Sequence, residues 1–176
     1  DRGTSKSSSS AAIDLIYRYL PIAYSDGDNE EARESMSLAA YYAGMAINQV
    51  NVGNVHAIAH QLGGRYGIPH GVANAMVLPH VLEFCSDKTL IALAELGRLV
   101  GIGDLNSSNA VLAKDFIISV SDLRNQVGIS PQSELIKKED HSVLAEAAVR
   151  EGASYPVRKL LDKETTIHIL EKLTLY

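Results

Sequence analysis

Residues 43–84 read AGMAINQVNVGNVHAIAHQLGGRYGIPHGVANAMVLPHVLEF. Their apolar residues recur at spacings of three and four, the period of an amphipathic helix and not the alternation of a strand. Asn48 to Asn54 reads as a loop. The helix that follows is expected to start near Asn54 and to end at Gly63-Gly64, glycine being the residue that most readily closes a helix. A glycine-rich turn, Gly64 to Gly71, then leads into a further helix over about Val72–Phe84.

The same period continues outward. A first helix is predicted over about Ser9–Tyr24, with Ile13, Ile16, Tyr17 and Leu20 on one face and Pro21 bending or shortening its end. Asp28 followed by Glu31 resembles a capping box that opens a helix running to about Ile47, whose Ala39, Ala40, Ala43, Gly44 and Ala46 permit close packing. Downstream the pattern predicts helices over Lys88–Val100, Ala110–Val127, Lys138–Gly152 and Lys163–Leu173, with a loop over Gly101–Asn109 and a break at Tyr155-Pro156. There is no βαβ pattern and no glycine-rich strand-to-helix turn to cradle a nucleotide. The expected fold is an all-α helical bundle over residues 11–176, with the polar, serine-rich residues 1–10 read as a flexible linker or junction.

At 176 residues the chain is long enough to bury a core without disulfides. Its 46% apolar and 21% charged residues exclude collagen-like and disordered classes. A net charge of −5 with no Lys or Arg cluster argues against nucleic acid as a partner. Cys85 is the only cysteine, which rules out an intrachain disulfide and a cysteine zinc site and suits a reducing compartment. The most apolar stretches are broken by His80, Glu83, Glu95 and Arg98, well short of the ~18 uninterrupted residues of a spanning helix. Residues 1–10 lack the apolar core of a secretory signal, so no membrane partner and a cytoplasmic location are expected.

Four of the six histidines, His56, His60, His70 and His80, fall within 25 residues. His56 and His60 are four apart, so on a helix both imidazoles lie on one face, one turn from each other. His70 arrives from a turn, framed by Pro69, which stiffens the backbone, and Gly71, which leaves room for a large group to approach it. Imidazoles so clustered suit a borderline divalent metal; surface histidines are the plainer alternative for the first pair. A helical metalloprotease is excluded, because Ala57 stands where the catalytic Glu would follow the first His and no Asp or Glu occurs between Asn48 and Pro79.

With its G-x-x-H-x-x-x-H-x-x-G run from Gly53 to Gly63 and its Pro69-His70-Gly71, the quoted stretch resembles the signature region of the iron-containing (group III) alcohol dehydrogenases. The flanking helices and Tyr155-Pro156-Val157 extend the resemblance over nearly all of residues 11–176. It implies the carboxyl-terminal, dehydroquinate synthase-like domain of a two-domain enzyme, whose amino-terminal α/β domain binds NAD or NADP and whose cleft holds a divalent metal, iron or else zinc. Family ligands are one Asp and three His. His56 and His70 match two of these, and His60 matches the non-ligand histidine near the nicotinamide, which makes it the catalytic and cofactor-binding candidate. On spacing alone His60 would have been a third ligand.

The two other ligands come, in the family, from an upstream Asp-x-x-x-His pair; only Glu164 with His168 gives a carboxylate at that spacing here, at the wrong end. The resemblance therefore implies half of a metal shell, a missing nucleotide-binding domain as partner, a small alcohol or aldehyde as substrate, and poor metal affinity and no activity for this chain alone. A homo-oligomer is compatible with the sequence. The alternative is a non-catalytic helical module with a residual weak metal site. Among the remaining residues, His80 is read as packing, His141 and His168 as surface residues, Cys85 as a buried small residue, Gly63, Gly64 and Gly67 as room for the turn, and Arg65 and Tyr66 as side chains that could touch substrate or cofactor.

Overall fold

Pro21 and Pro79 lie inside helices in the computed structural model, not at their ends. The structure describes residues 2–104 and 106–175, with side chains from residue 6 onward. Every regular element among them is helical: α1 (Arg2–Ser25), α2 (Glu30–Val50), α3 (Asn54–Tyr66), α4 (His70–Leu99), α5 (Asn109–Gln126), α6 (His141–Gly152), preceded by a 3-10 turn at Lys138–Asp140, and α7 (Lys163–Leu173). Extended pairing among the described residues is limited to one isolated bridge between Ser133 and Thr174. No helix among the described residues is long and apolar enough to cross a membrane.

The chain divides into two units. The first comprises the segments up to Asn51 and Leu90–Val127. In it α1 and α2 form a hairpin around residues 26–29, and Ala12, Ala32, Ala39 and Ala46 are buried at 5% exposure or less. Such small residues let helix axes approach closely. Tyr17 ties α1 to α5, stacking on Phe116 with ring centroids 5.9 Å apart and sharing a 2.8 Å hydrogen bond with the Ser119 hydroxyl. A Cβ on Gly97 would lie 3.2 Å from the Leu112 carbonyl oxygen, so the end of α4 sits directly on α5.

Three expectations change in this unit. The residues expected as a linker are helical from Arg2, because Ser8 is buried at 8% exposure and Lys6 Nζ donates to Glu95 Oε2 at 2.9 Å; Asp1 lies outside the described residues. α1 is not shortened at Pro21: it ends at Ser25, one residue past the expected Tyr24, although the proline removes the N–H that would have bonded the Tyr17 carbonyl. The cap of α2 is Asn29, whose side chain accepts the Ala32 N–H at 2.9 Å, one residue later than the expected Asp28; Glu31 instead accepts the Tyr19 hydroxyl at 2.9 Å.

The second unit comprises Val52–Thr89 and the chain from Gly128 onward, and holds the main apolar core. Ile58, Leu62, Met76, Val77, Ile136, Leu170 and Leu173 are all at most 2% exposed. α3 and α6 meet closely: a Cβ on Gly152 would lie 3.4 Å from the Ala57 Cβ. The two helices expected over Val72–Phe84 and Lys88–Val100 are one, α4, and Lys159 holds it at their junction, donating to the Phe84 carbonyl at 2.8 Å and Asp87 Oδ1 at 3.0 Å and lying 4.3 Å from the Phe84 ring centroid. α7 has the predicted bounds, opened by Asp162, whose side chain accepts the Thr165 N–H at 2.8 Å.

Candidate functional site

α3 ends at Tyr66, two residues past the expected Gly63-Gly64. Gly67 adopts the left-handed conformation at φ 67°, and its N–H bonds the Gly63 carbonyl at 2.9 Å. Only glycine takes this backbone without strain. Ile68, 6% exposed, plugs into the core, and the Pro69 carbonyl accepts the Ala73 N–H at 2.9 Å to start α4. His70 is therefore the first residue of a helix instead of part of a loop. A Cβ on Gly71 would meet nothing within 4 Å, so no described group crowds its backbone.

This reversal brings three imidazoles together. Ring centroids lie 5.6 Å apart for His56 and His60, 5.3 Å for His56 and His70, and 5.4 Å for His60 and His70. His56 is partly buried, and burial, followed by the neighbouring His70 and His60, pushes its pKa down while Glu151 pulls it up. A neutral imidazole is the form that can ligate a metal.

An imidazole nitrogen about 2.1 Å from a cation puts its ring centroid about 3.2 Å away, so two rings sharing one ion at a near-tetrahedral angle sit about 5.2 Å apart. The 5.3 Å between His56 and His70 fits that arrangement. Among the described residues, however, no group of three or more His, Cys, Asp or Glu side chains is disposed to hold a metal ion. Asn74, one turn along α4, donates through Nδ2 to the His70 carbonyl at 2.8 Å and approaches His70 Nε2 at 3.0 Å. A cation at that nitrogen would have to displace the amide. Its Oδ1 is buried with no hydrogen-bond partner among the described residues.

His60 differs from its two neighbours in having a carboxylate on its ring. Its Nδ1 lies 2.6 Å from Glu151 Oε1, which also accepts the Tyr155 hydroxyl at 2.6 Å, while Glu151 Oε2 accepts Gln61 Nε2 at 2.7 Å. Burial raises the pKa of Glu151, but the hydrogen bonds from Tyr155, His60 and Gln61 outweigh it and hold the carboxyl below its ordinary value. Glu151 stands 91 residues from His60, and no local spacing signals it. Beside His60 a depression of about 300 Å³ opens between α3 and α6, lined in part by Gln61, Gly64, Arg65, Asp140 and Ala147.

Other residues singled out by sequence have settled partners. Arg65 donates to both oxygens of Asp140 at 3.0 and 2.9 Å, and the Tyr66 hydroxyl donates to Asp140 Oδ2 at 2.9 Å. His141 is a correction: expected at the surface, it is 3% exposed, since α6 turns its first residue toward the Thr174 hydroxyl, 2.9 Å from Nε2. His168 is exposed, near Glu171. Cys85 is half-buried and receives Asn54 Nδ2 at 3.8 Å; burial pushes its thiol pKa up, as suits an unreactive residue.

The sequence model of the Fe-containing alcohol dehydrogenase family, C-terminal, matches residues 6–174, and the chain belongs to that family. It is 41% identical over 147 residues to the 1,3-propanediol dehydrogenase of Klebsiella pneumoniae, covering 82% of this chain and 38% of that enzyme. Against the NAD-dependent methanol dehydrogenase of Bacillus methanolicus the identity is 37% over 139 residues, covering 78% and 36%. The crystal structure of a 1,3-propanediol oxidoreductase superposes with a TM-score of 0.92 at 34% identity, over 96% of this chain and 45% of that one. The chain thus spans less than half the length of these relatives. All three are oxidoreductases by name, and the matching part of the 1,3-propanediol oxidoreductase structure has the helical fold described above.

Proposed function

We propose that this chain is the carboxyl-terminal part of a metal-dependent, NAD(P)-linked alcohol dehydrogenase or aldehyde reductase, acting on a small alcohol or aldehyde. The observation that carries the reading is the triangle of imidazoles on α3 and α4, within 5.6 Å of one another, in a chain of this family. His56 and His70 are the residues that would hold the cation, iron in the first place and zinc as the alternative, with the remaining ligands supplied from outside this chain. A divalent cation there would supply Lewis-acid polarisation of the alcohol or carbonyl oxygen.

The chain's own residues then divide the work. His56, kept neutral by burial, presents a lone pair without first having to lose a proton. His60, one turn along the same face and 40% exposed at its side chain, is placed to pass a proton between the substrate oxygen and solvent. In this reading the dinucleotide is held mainly by the portion of the relatives that this chain does not span, with His60 beside its nicotinamide. NAD is favoured by the name of the Bacillus methanolicus relative.

The test is a chimera in which this chain replaces the matching carboxyl-terminal portion of the Klebsiella pneumoniae 1,3-propanediol dehydrogenase. Metal- and NAD-dependent oxidation of a short alcohol, lost in His56→Ala and His70→Ala and lowered about 100-fold or more in His60→Gln, is the expected result. A well-folded chimera that is inactive, or an active one indifferent to all three changes, would overturn the reading.

A further inference from the structure

The geometry points to Glu151, on the last turn of α6, as a positioning residue that fixes the tautomer and orientation of His60. This rests on the reading of His60 as the proton-handling residue. Among the described residues the Glu151 carboxylate has three partners, and two of them can only donate to it. The Gln61 amide is oriented by its second contact, since Nε2 also donates to the Ala57 carbonyl at 3.1 Å, so it is the NH2 end that faces Glu151 Oε2. The Tyr155 hydroxyl donates its hydrogen to Oε1. A carboxylate so engaged offers only lone pairs to the third partner. His60 must therefore carry its hydrogen on Nδ1, 2.6 Å away, which leaves the lone pair of the neutral ring on Nε2.

That assignment matters because a proton relay works through one nitrogen at a time. With Nδ1–H committed to Glu151, Nε2 is the nitrogen that accepts a proton and gives it up, and the ring cannot flip without breaking a short hydrogen bond to a charged group. Gln61 and Tyr155 hold the carboxylate from its other sides, one from α3 itself and one from just beyond α6. Glu151 has a side-chain exposure of 29%, and so acts without the full screening of solvent.

The experiment is nitrogen-15 NMR of the 176-residue chain labelled at histidine, recorded at a pH above the ring titrations, with the His60 signals identified by their loss in His60→Gln. The wild type is expected to show the Nδ1–H tautomer. Glu151→Gln, whose carboxamide can donate to Nδ1, is expected to move His60 to Nε2–H, while Tyr155→Phe, which spares the carboxylate, leaves it as Nδ1–H. An Nε2–H tautomer in the wild type would sink the proposal, as would a Glu151→Gln spectrum unchanged at His60. Should that variant fail to fold, the wild-type spectrum decides alone. In the chimera described above, Glu151→Gln is expected to lower kcat about tenfold with little change in KM. The tautomer does not depend on whether His60 handles a proton, so activity retained in His60→Gln would count against the functional reading and not against this one.

Discussion

His141 Nε2 sits 2.9 Å from the hydroxyl oxygen of Thr174, in the interior beneath the start of α6. That hydroxyl spends its hydrogen on the Leu170 carbonyl at 2.8 Å, so the imidazole donates and the threonine accepts. Burial pushes the His141 pKa below 6.5, and the nearby Lys138 adds to this against the opposing pull of Glu171. The unfolded chain therefore binds a proton at a pH where the folded chain does not. Stability is full above the unfolded value of about 6.5 and declines as the pH falls from there toward the folded value. Thermal unfolding followed from pH 7.5 to 5.5 should show a falling midpoint, and His141→Gln should flatten the slope in part, leaving the share of His56, shifted in the same direction. A midpoint that is level over that interval in the parent chain would contradict the assignment.

Two nearby glycines should answer oppositely to the same change. Gly67→Ala forces a side chain into the left-handed region at φ 67° and should cost about 1 kcal/mol. Gly64→Ala falls inside α3, where a Cβ meets nothing within 4 Å, and should be neutral or stabilise by up to about 1 kcal/mol. Urea unfolding of both variants measures the contrast; equal effects would mean that α3 stops at Gly63-Gly64 after all.

At the α3–α6 contact, Gly152→Ala should be tolerated, because its Cβ would stand 3.4 Å from Ala57 and 3.8 Å from Asn54 Oδ1. Gly152→Val has no such room and should destabilise by about 1–3 kcal/mol. Calorimetric melting of the two variants checks this, and a valine variant as stable as the parent would show that the helices can part.

Calorimetric titration of the chain with zinc or ferrous iron should give weak binding, reduced further by His56→Ala or His70→Ala, since two imidazoles make an incomplete shell and Asn74 occupies one of their nitrogens. Tight, stoichiometric uptake would overturn that expectation and imply a ligand set within this chain.

The helical period made most element boundaries legible, and α7 falls on its predicted residues because a strong cap, Asp162, and a periodic apolar face agree there. The signature histidines were legible as a cluster for the same reason, their spacing being local. What stayed hidden was set by tertiary contact. Residues 85–87 read as a gap between two helices and are held as helix beside Lys159, 72 residues from Asp87. The serines of α1 look like a linker until Ser8 is buried. His141 is polar and isolated in sequence, and only its partner 33 residues on reveals it as interior. Glu151 was invisible to spacing arguments because the segment that bears the histidines contains no acid at all.

Because the carboxylate beside His60 comes from so far along the chain, the histidine segment is not portable. A peptide of residues 53–71, or a graft of it onto another helical hairpin, would reproduce the motif letter for letter and still leave His60 free to carry its one ring N–H on either nitrogen. A designer borrowing this site would need to transplant α6 with it, from His141 through Tyr155, and treat the two segments as a single inseparable part.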